Sequence, residues 1–135
     1  MSDVVYEVEP NLAAEEFQQV LVASSLAERR PATDLLRLDH MLRGANLIVT
    51  ARIGGELVGI ARSLTDFSYA CYLSDLAVSQ KLQGKGIGNA LIQETRRQVG
   101  PEVSVILLAA PKAVAFYEKI GMPRHPAAFI YRSER

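Results

Sequence analysis

One cysteine in 135 residues, two histidines, and no surplus of charge of either sign (15 basic against 15 acidic residues) set the first limits. A lone thiol, Cys71, closes no internal disulfide and fits a reducing compartment. It lies in an apolar, strand-like run with no neighbouring His or Lys to lower its pKa, so packing is its expected role. Zero net charge supplies no overall electrostatic reason to bind nucleic acid or an anionic membrane. No apolar run approaches the ~20 residues that cross a bilayer. Met1-Ser2-Asp3 has neither the basic region nor the apolar core of a signal peptide. The expectation is a cytoplasmic protein with no nucleic-acid or membrane partner. His40 and His125 are isolated, and no pair of His, Cys or Asp has metal-ligand spacing, so no metal is expected. Without a repeat, linker or low-complexity tract, one domain over residues 1–135 is expected.

Nearly half the residues are apolar, enough for a core at this length. Val4 to Glu9 alternates apolar and polar until Pro10 and reads as a strand. Asn11 is placed to cap a helix with Ala13, Phe17, Val20, Leu21 and Ser24 on one face. Asp34 is placed to cap a second, with Leu35, Leu38 and Leu42 on one stripe and Gly44 at its end. Leu47–Ile53, Gly54-Gly55 and Glu56–Leu64 read as a hairpin, because two glycines supply the positive φ angles of a two-residue turn. Ala70 to Val78 predicts another strand, Gly86 to Gln98 a helix, and Val103 to Ala109 a near-continuous apolar strand covered on both faces. Pro111 suits a first helical turn; Ala113, Phe116, Tyr117 and Ile120 share a face, and Gly121 closes that helix. Ala127 to Tyr131 predicts a last short strand. The order is β-α-α-β-β-β-α-β-α-β, with a right-handed crossover between parallel strands around residues 70–109 and a mixed sheet overall.

The densest chemical signal is Gln83-Gly84-Lys85-Gly86-Ile87-Gly88, between a strand and an amphipathic helix. Such glycines let several backbone N–H groups face one point, and the following helix N-terminus adds partial positive charge there, which suits a phosphate or pyrophosphate. The string is neither G-x-x-x-x-G-K-[ST] nor G-x-G-x-x-G, so a nucleoside-triphosphate loop and a dinucleotide fingerprint are both excluded. By itself the loop reads equally well as a tight turn without a ligand.

Two further strings stand in fixed order around it: Ser74-Asp75-Leu76-Ala77-Val78 before, and Phe116-Tyr117-Glu118-Lys119-Ile120-Gly121-Met122 after. Together the three resemble the GNAT superfamily of acetyl-CoA-dependent N-acetyltransferases. That family's phosphate loop runs Q/R-x-x-G-x-G/A, and its later helix commonly carries F-Y-x-K-x-G-F. Met122 replaces the final Phe, an apolar swap of similar volume. The Asp-Leu-Ala-Val and Phe-Tyr-Glu-Lys strings look most like the glucosamine-phosphate acetyltransferase branch.

The resemblance implies an α/β (α+β) acyl-CoA N-acyltransferase fold. Its sheet is mixed and mostly antiparallel, with a central splayed parallel pair and about four flanking helices. It implies acetyl-CoA as co-substrate, bound between the splayed strands: the backbone of Leu76, Ala77 and Val78 along the pantetheine arm, and the N–H groups of Gln83, Gly84, Lys85, Gly86, Ile87, Gly88 and Asn89 around the pyrophosphate, with Phe116 beside them. The reaction implied is acetyl transfer to a primary amine of a small molecule by direct attack in a ternary complex. Tyr117 takes the family's general-acid place, Asp75 is the candidate base unless water relays the proton, and the N–H of Val78 is the candidate oxyanion donor. The residues alone also allow Tyr117 as a core aromatic, Asp75 as a strand-edge carboxylate and Lys85 as a solvated lysine. Ala110 stands where many relatives carry a coenzyme-touching Asn. Arg62 and Asp66 border the acceptor side in relatives, and a salt bridge is the expected role of Arg62. Homodimerisation through terminal strands stays open. The alternatives are a non-catalytic acyl-CoA-binding sensor and a protein or peptide acetyltransferase; a tRNA acetyltransferase is disfavoured by the zero net charge.

Overall fold

A computed structural model describes residues 3–134; Met1 and Ser2 of the leader argument, and Arg135, lie outside it. The elements are β1 (Val4–Val8), α1 (Ala14–Ser24), α2 (Leu35–Gly44), β2 (Leu47–Ile53), β3 (Glu56–Thr65), β4 (Ala70–Val78), α3 (Ile87–Val99), β5 (Ser104–Ile106) and α4 (Val114–Lys119). They form one five-stranded sheet in the order β1-β2-β3-β4-β5, antiparallel except for the parallel pair β4–β5. The splayed pair therefore lies at the edge of the sheet rather than at its centre.

Alternation along buried strands feeds two layers. Leu47, Val49 and Ala51 of β2 join Leu73 and Val78 of β4 against Ile87, Leu91 and Val99 of α3. Ile48, Ile60 and Ala77 pack the other way, against Phe17 and Leu21 of α1 and Leu38 and Leu42 of α2. Cys71 is fully buried in the α3 layer, and burial pushes its thiol pKa up, as suits a packing residue. The β2–β3 turn uses Gly54 (φ 57°) and Gly55 (φ 86°), as the sequence predicts.

Three expectations are corrected. Helix α1 begins after Ala13 in extended conformation with no side-chain cap, so Asn11 does not cap it. Asp34 does cap α2, its Oδ1 accepting from the Arg37 N–H at 3.0 Å. Strand β5 is only three residues long rather than Val103–Ala109. Residues 127–131 form no strand; Phe129 and Tyr131 are fully exposed, because nothing pairs with that segment. A 3-10 turn at Leu26–Arg29, unread in the sequence, joins α1 to α2.

The start of α1 is tied to the β1–β2 edge by Arg52. Its guanidinium donates to Glu9 at 2.8 and 2.9 Å and to Glu16 at 2.7 and 3.0 Å. Those hydrogen bonds hold both carboxyls below their ordinary pKa. A depressed folded-state pKa contributes stability above the unfolded value, about 4.3 for Glu, and loses it as pH falls through the folded value. The expected result for Arg52→Met is a lower urea midpoint at pH 7, with the gap to wild type closing below about pH 4. A gap independent of pH would remove the pair of carboxylates from the explanation.

Candidate active site

The site begins where two strands stop pairing. β4 and β5 are in register at Ala70/Ser104, Cys71/Val105 and Tyr72/Ile106, and not beyond. β4 continues to Val78 on its β3 side, so from Leu73 onward its other edge faces a gap. The phase of the antiparallel ladder decides which groups face that gap. The Ser79 N–H donates to the Val58 carbonyl at 2.9 Å, and the register then alternates through Val78/Gly59 and Ala77/Ile60. Hydrogen-bonded and non-hydrogen-bonded pairs alternate in such a ladder. Ala77 therefore spends its N–H and C=O on β3 and its side chain in the α1–α2 core, which corrects its expected place along a coenzyme arm. Leu76 and Val78 turn their N–H groups to the gap.

The loop after β4 holds a run of free donors. A 3-10 turn at Gln80–Leu82 uses the N–H groups of Leu82 and Gln83 internally. Among the described residues, no protein acceptor takes the N–H groups of Gly84, Lys85, Gly86, Ile87, Gly88 or Asn89; the first helical bond of α3 runs from Ala90 to Gly86. Gly84 (φ 80°) and Gly86 (φ 88°) adopt the left-handed conformation that turns these amides together. The Gln83 amide ties the loop to the strand end, its Nε2 donating to the Val78 carbonyl at 3.0 Å. Gln83 thus contributes a side chain and not its N–H. Lys85 is exposed at the loop tip.

Gly88 has a different task. A Cβ there would sit 2.9 Å from Cζ of Phe116, whose ring lies on the first turn of α3. Phe116 meets Tyr117 edge-on, with ring centroids 5.0 Å apart. The Phe116–Gly88 contact therefore docks α4 on α3 and sets where Tyr117 stands. Gly86→Ala meets no atom but carries the left-handed penalty of roughly 1–2 kcal/mol. Gly88→Ala is expected to cost about 1–3 kcal/mol by displacing Phe116. Urea midpoints should fall in both variants. An undiminished midpoint for Gly88→Ala would show that the ring yields freely.

A cleft of about 230 Å³ opens where the gap meets α4. Leu73, Ser74 and Leu76 of β4 line one wall, Leu107–Ala110 after β5 another, and Tyr117 stands between them. Val78 does not line it. Burial pushes the Tyr117 phenol above its usual pKa, and the charge of Arg30 pulls it partly back.

Asp75 lies behind this wall. The pairing of β3 with β4 shifts at Arg62/Ser63, leaving Ser74 as an extra, bulged residue. The bulge turns Asp75 inward, where it is fully buried. One carboxylate oxygen accepts from Nε of Arg30 and the other from Nε of Arg62. The same arginines hold the bulge itself: Arg30 Nη2 donates to the Ser74 carbonyl at 2.9 Å, and Arg62 Nη2 to Ser74 Oγ at 3.0 Å. The expectation of a base at Asp75 is corrected accordingly, since a carboxylate with both oxygens in arginine bonds and no exposure reaches no acceptor amine. Arg62 forms the expected salt bridge, buried rather than at the surface. Asp66 is a turn residue, its Oδ1 accepting from the N–H groups of Ser68, Tyr69 and Ala70. Arg30 was missed in the sequence. It lies 45 residues from Asp75, and no spacing rule joins them.

Among the described residues no group of three or more His, Cys, Asp or Glu gathers in space, and no helix is long and apolar enough to cross a membrane.

A family model described as an acetyltransferase (GNAT) domain matches residues 10–129. A protein named "Uncharacterized N-acetyltransferase ycf52" in Porphyra purpurea is 26% identical over 128 residues, covering 93% of this chain and 74% of the relative. Its namesake in Pyropia yezoensis is 32% identical over 83 residues, covering 60% of this chain and 48% of the relative, so the chain spans about half the length of that match. Among solved structures, a Trypanosoma brucei acetyltransferase superposes with a TM-score of 0.66 at 25% identity, over 97% of this chain and 100% of its own. The aminoglycoside N-acetyltransferase AAC(6')-Iy, solved in complex with CoA, superposes with a TM-score of 0.74 over 100% of this chain and 97% of its own; at 14% identity it shows the fold alone. These comparisons do not extend to the glucosamine-phosphate branch.

Proposed function

The chain belongs to the acetyltransferase (GNAT) domain family, and on that premise we propose that it moves an acetyl group from acetyl-CoA to a primary amine of a small molecule, by direct attack in a ternary complex. One observation carries the reading. The edge of β4 that β5 leaves unpaired lines the cleft holding the Tyr117 phenol at Leu73, Ser74 and Leu76, and the same strand leads on to the free amides at residues 84–89. A pantetheine arm adds to such an edge as a strand would, through the groups of Leu76 and Val78. The amides from Gly84 to Asn89 and the N-terminus of α3 suit its pyrophosphate. The CoA held by AAC(6')-Iy, a protein of the same fold, supports this choice of co-substrate.

Transfer makes a C–N bond to the acetyl carbon and breaks its C–S bond. Tyr117 gives its proton to the departing thiolate, and the raised pKa keeps that proton in place at neutral pH. The Leu76 N–H is the better oxyanion donor than that of Val78, because Leu76 shares the cleft with Tyr117 and Val78 does not. The amine's own proton leaves to water, since no Asp or Glu lines the cleft. Asp75 acts from behind, fixing Arg30 and the Ser74 bulge.

A second reading, transfer to a peptide amine, draws on a soybean relative named "Histone acetyltransferase TAP1", 31% identical over 53% of this chain. Calorimetric titration with acetyl-CoA, joined to thiol release on a panel of small amines and lysine peptides, tests both. Binding followed by thiol release on small amines is the expected result. Release on peptides alone selects the second reading, and binding without release on any amine leaves a sensor.

A further inference from the structure

Charge in the cleft is one-sided. Its ionisable lining consists of Arg29, Arg30, Arg132 and the phenols of Tyr72 and Tyr117, with no carboxylate among them. Arg30 is committed: its Nε is bound to Asp75, its Nη2 to the Ser74 carbonyl and its Nη1 to the Arg29 carbonyl at 2.8 Å. Asp75 in turn is shared between Arg30 and Arg62, so two positive charges meet one negative charge behind the wall. Arg29 and Arg132 have no side-chain partner among the described residues. They come from distant parts of the chain, the turn after α1 and the C-terminal segment, and meet on one cleft.

A simple alkylammonium entering this cleft would face like charge. Taking the function proposed above as its basis, we infer that the acceptor is an amine whose skeleton also carries an anionic group, a carboxylate or a phosphate, held by Arg29 and Arg132 at the cleft mouth. Guanidinium groups pair such anions bidentately. The same cationic lining disfavours the ammonium form of the acceptor and so helps expose the nucleophilic lone pair where no carboxylate base is present. The coenzyme's phosphates do not account for these arginines. The free amides begin beyond the end of β4, while the cleft takes in Ser74 and Tyr72, roughly 16 and 23 Å back along the strand from Ser79.

The test is steady-state thiol release from acetyl-CoA with matched acceptors: γ-amino acids against their amides, and aminoalkyl phosphates against the parent amino alcohols, all compared per unprotonated amine. The expected result is kcat/KM at least about tenfold higher for one or both anionic members, the two arms telling carboxylate from phosphate. Arg29→Ala/Arg132→Ala should collapse that ratio toward one through acceptor KM, and Arg132→Lys should restore part of it. Both arginines are exposed, so folding is not at stake. Equal kcat/KM for charged and neutral members overturns the inference and leaves acetyl transfer standing; so does a double variant whose defect lies in the KM for acetyl-CoA. Absence of acetyl-CoA binding overturns the proposed function itself, and this inference with it.

Discussion

Tyr117→Phe should lower kcat by about 10²–10⁴-fold with little change in acetyl-CoA affinity. The substitution keeps the ring and its edge-on contact with Phe116 and removes only the proton that the departing thiolate needs. Burial raises the phenol pKa, so the donor form is fully present below that value and is lost only as pH rises through it, above about 10. The wild-type alkaline limb of kcat should therefore lie above pH 10, and the Phe variant should lack it. Calorimetry with acetyl-CoA separates binding from chemistry. A variant of undiminished kcat would return Tyr117 to the role of a packing aromatic.

Asp75→Ala should be the most destabilising single change, at about 3–5 kcal/mol, because it leaves two arginines facing each other with no counter-ion. Arg62 is almost wholly buried, while Arg30 would also release the Ser74 bulge. The urea midpoint reads the loss directly. Asp75→Asn, which keeps the shape and two acceptor lone pairs, should fall between Ala and wild type. The two roles of Asp75 then diverge in the pH profile. An anchor lowers stability and leaves the acid limb of kcat/KM where it was, whereas a base removes that limb.

The loop and its helix were legible because their signal is local. Glycine spacing governs backbone freedom over residues 83–88, and the donors that result are the overlapping run 84–89. Turn chemistry at Gly54-Gly55 and the cap at Asp34 were legible for the same reason. The Tyr117 site was legible only through the resemblance, since helical periodicity reads that residue equally well as core. Strand length was less accessible. Val103–Ala109 and Ala127–Tyr131 have the composition of strands, yet a strand exists only where a partner lies alongside. β5 pairs for three residues, and the last segment for none.

Orientation within a strand was less accessible still. Leu76, Ala77 and Val78 form one string in the sequence, and only pairing with β3 decides that Ala77 turns away while its neighbours face the gap. One bulged residue, Ser74, carried Asp75 out of the site it was expected to serve.

Sequence by itself determined the helices and the first four strands, the amide-rich loop, the phenol-bearing helix and the family, because each rests on contacts between near neighbours or on a string of fixed order. Tertiary structure alone decided that Asp75 is spent on Arg30 and Arg62, that Gly88 makes room for Phe116, and that Arg29 and Arg132 share a cleft with Tyr117. Those pairings join residues 13 to 103 positions apart. Such partners are selected by packing and by ladder phase, and no local pattern encodes either.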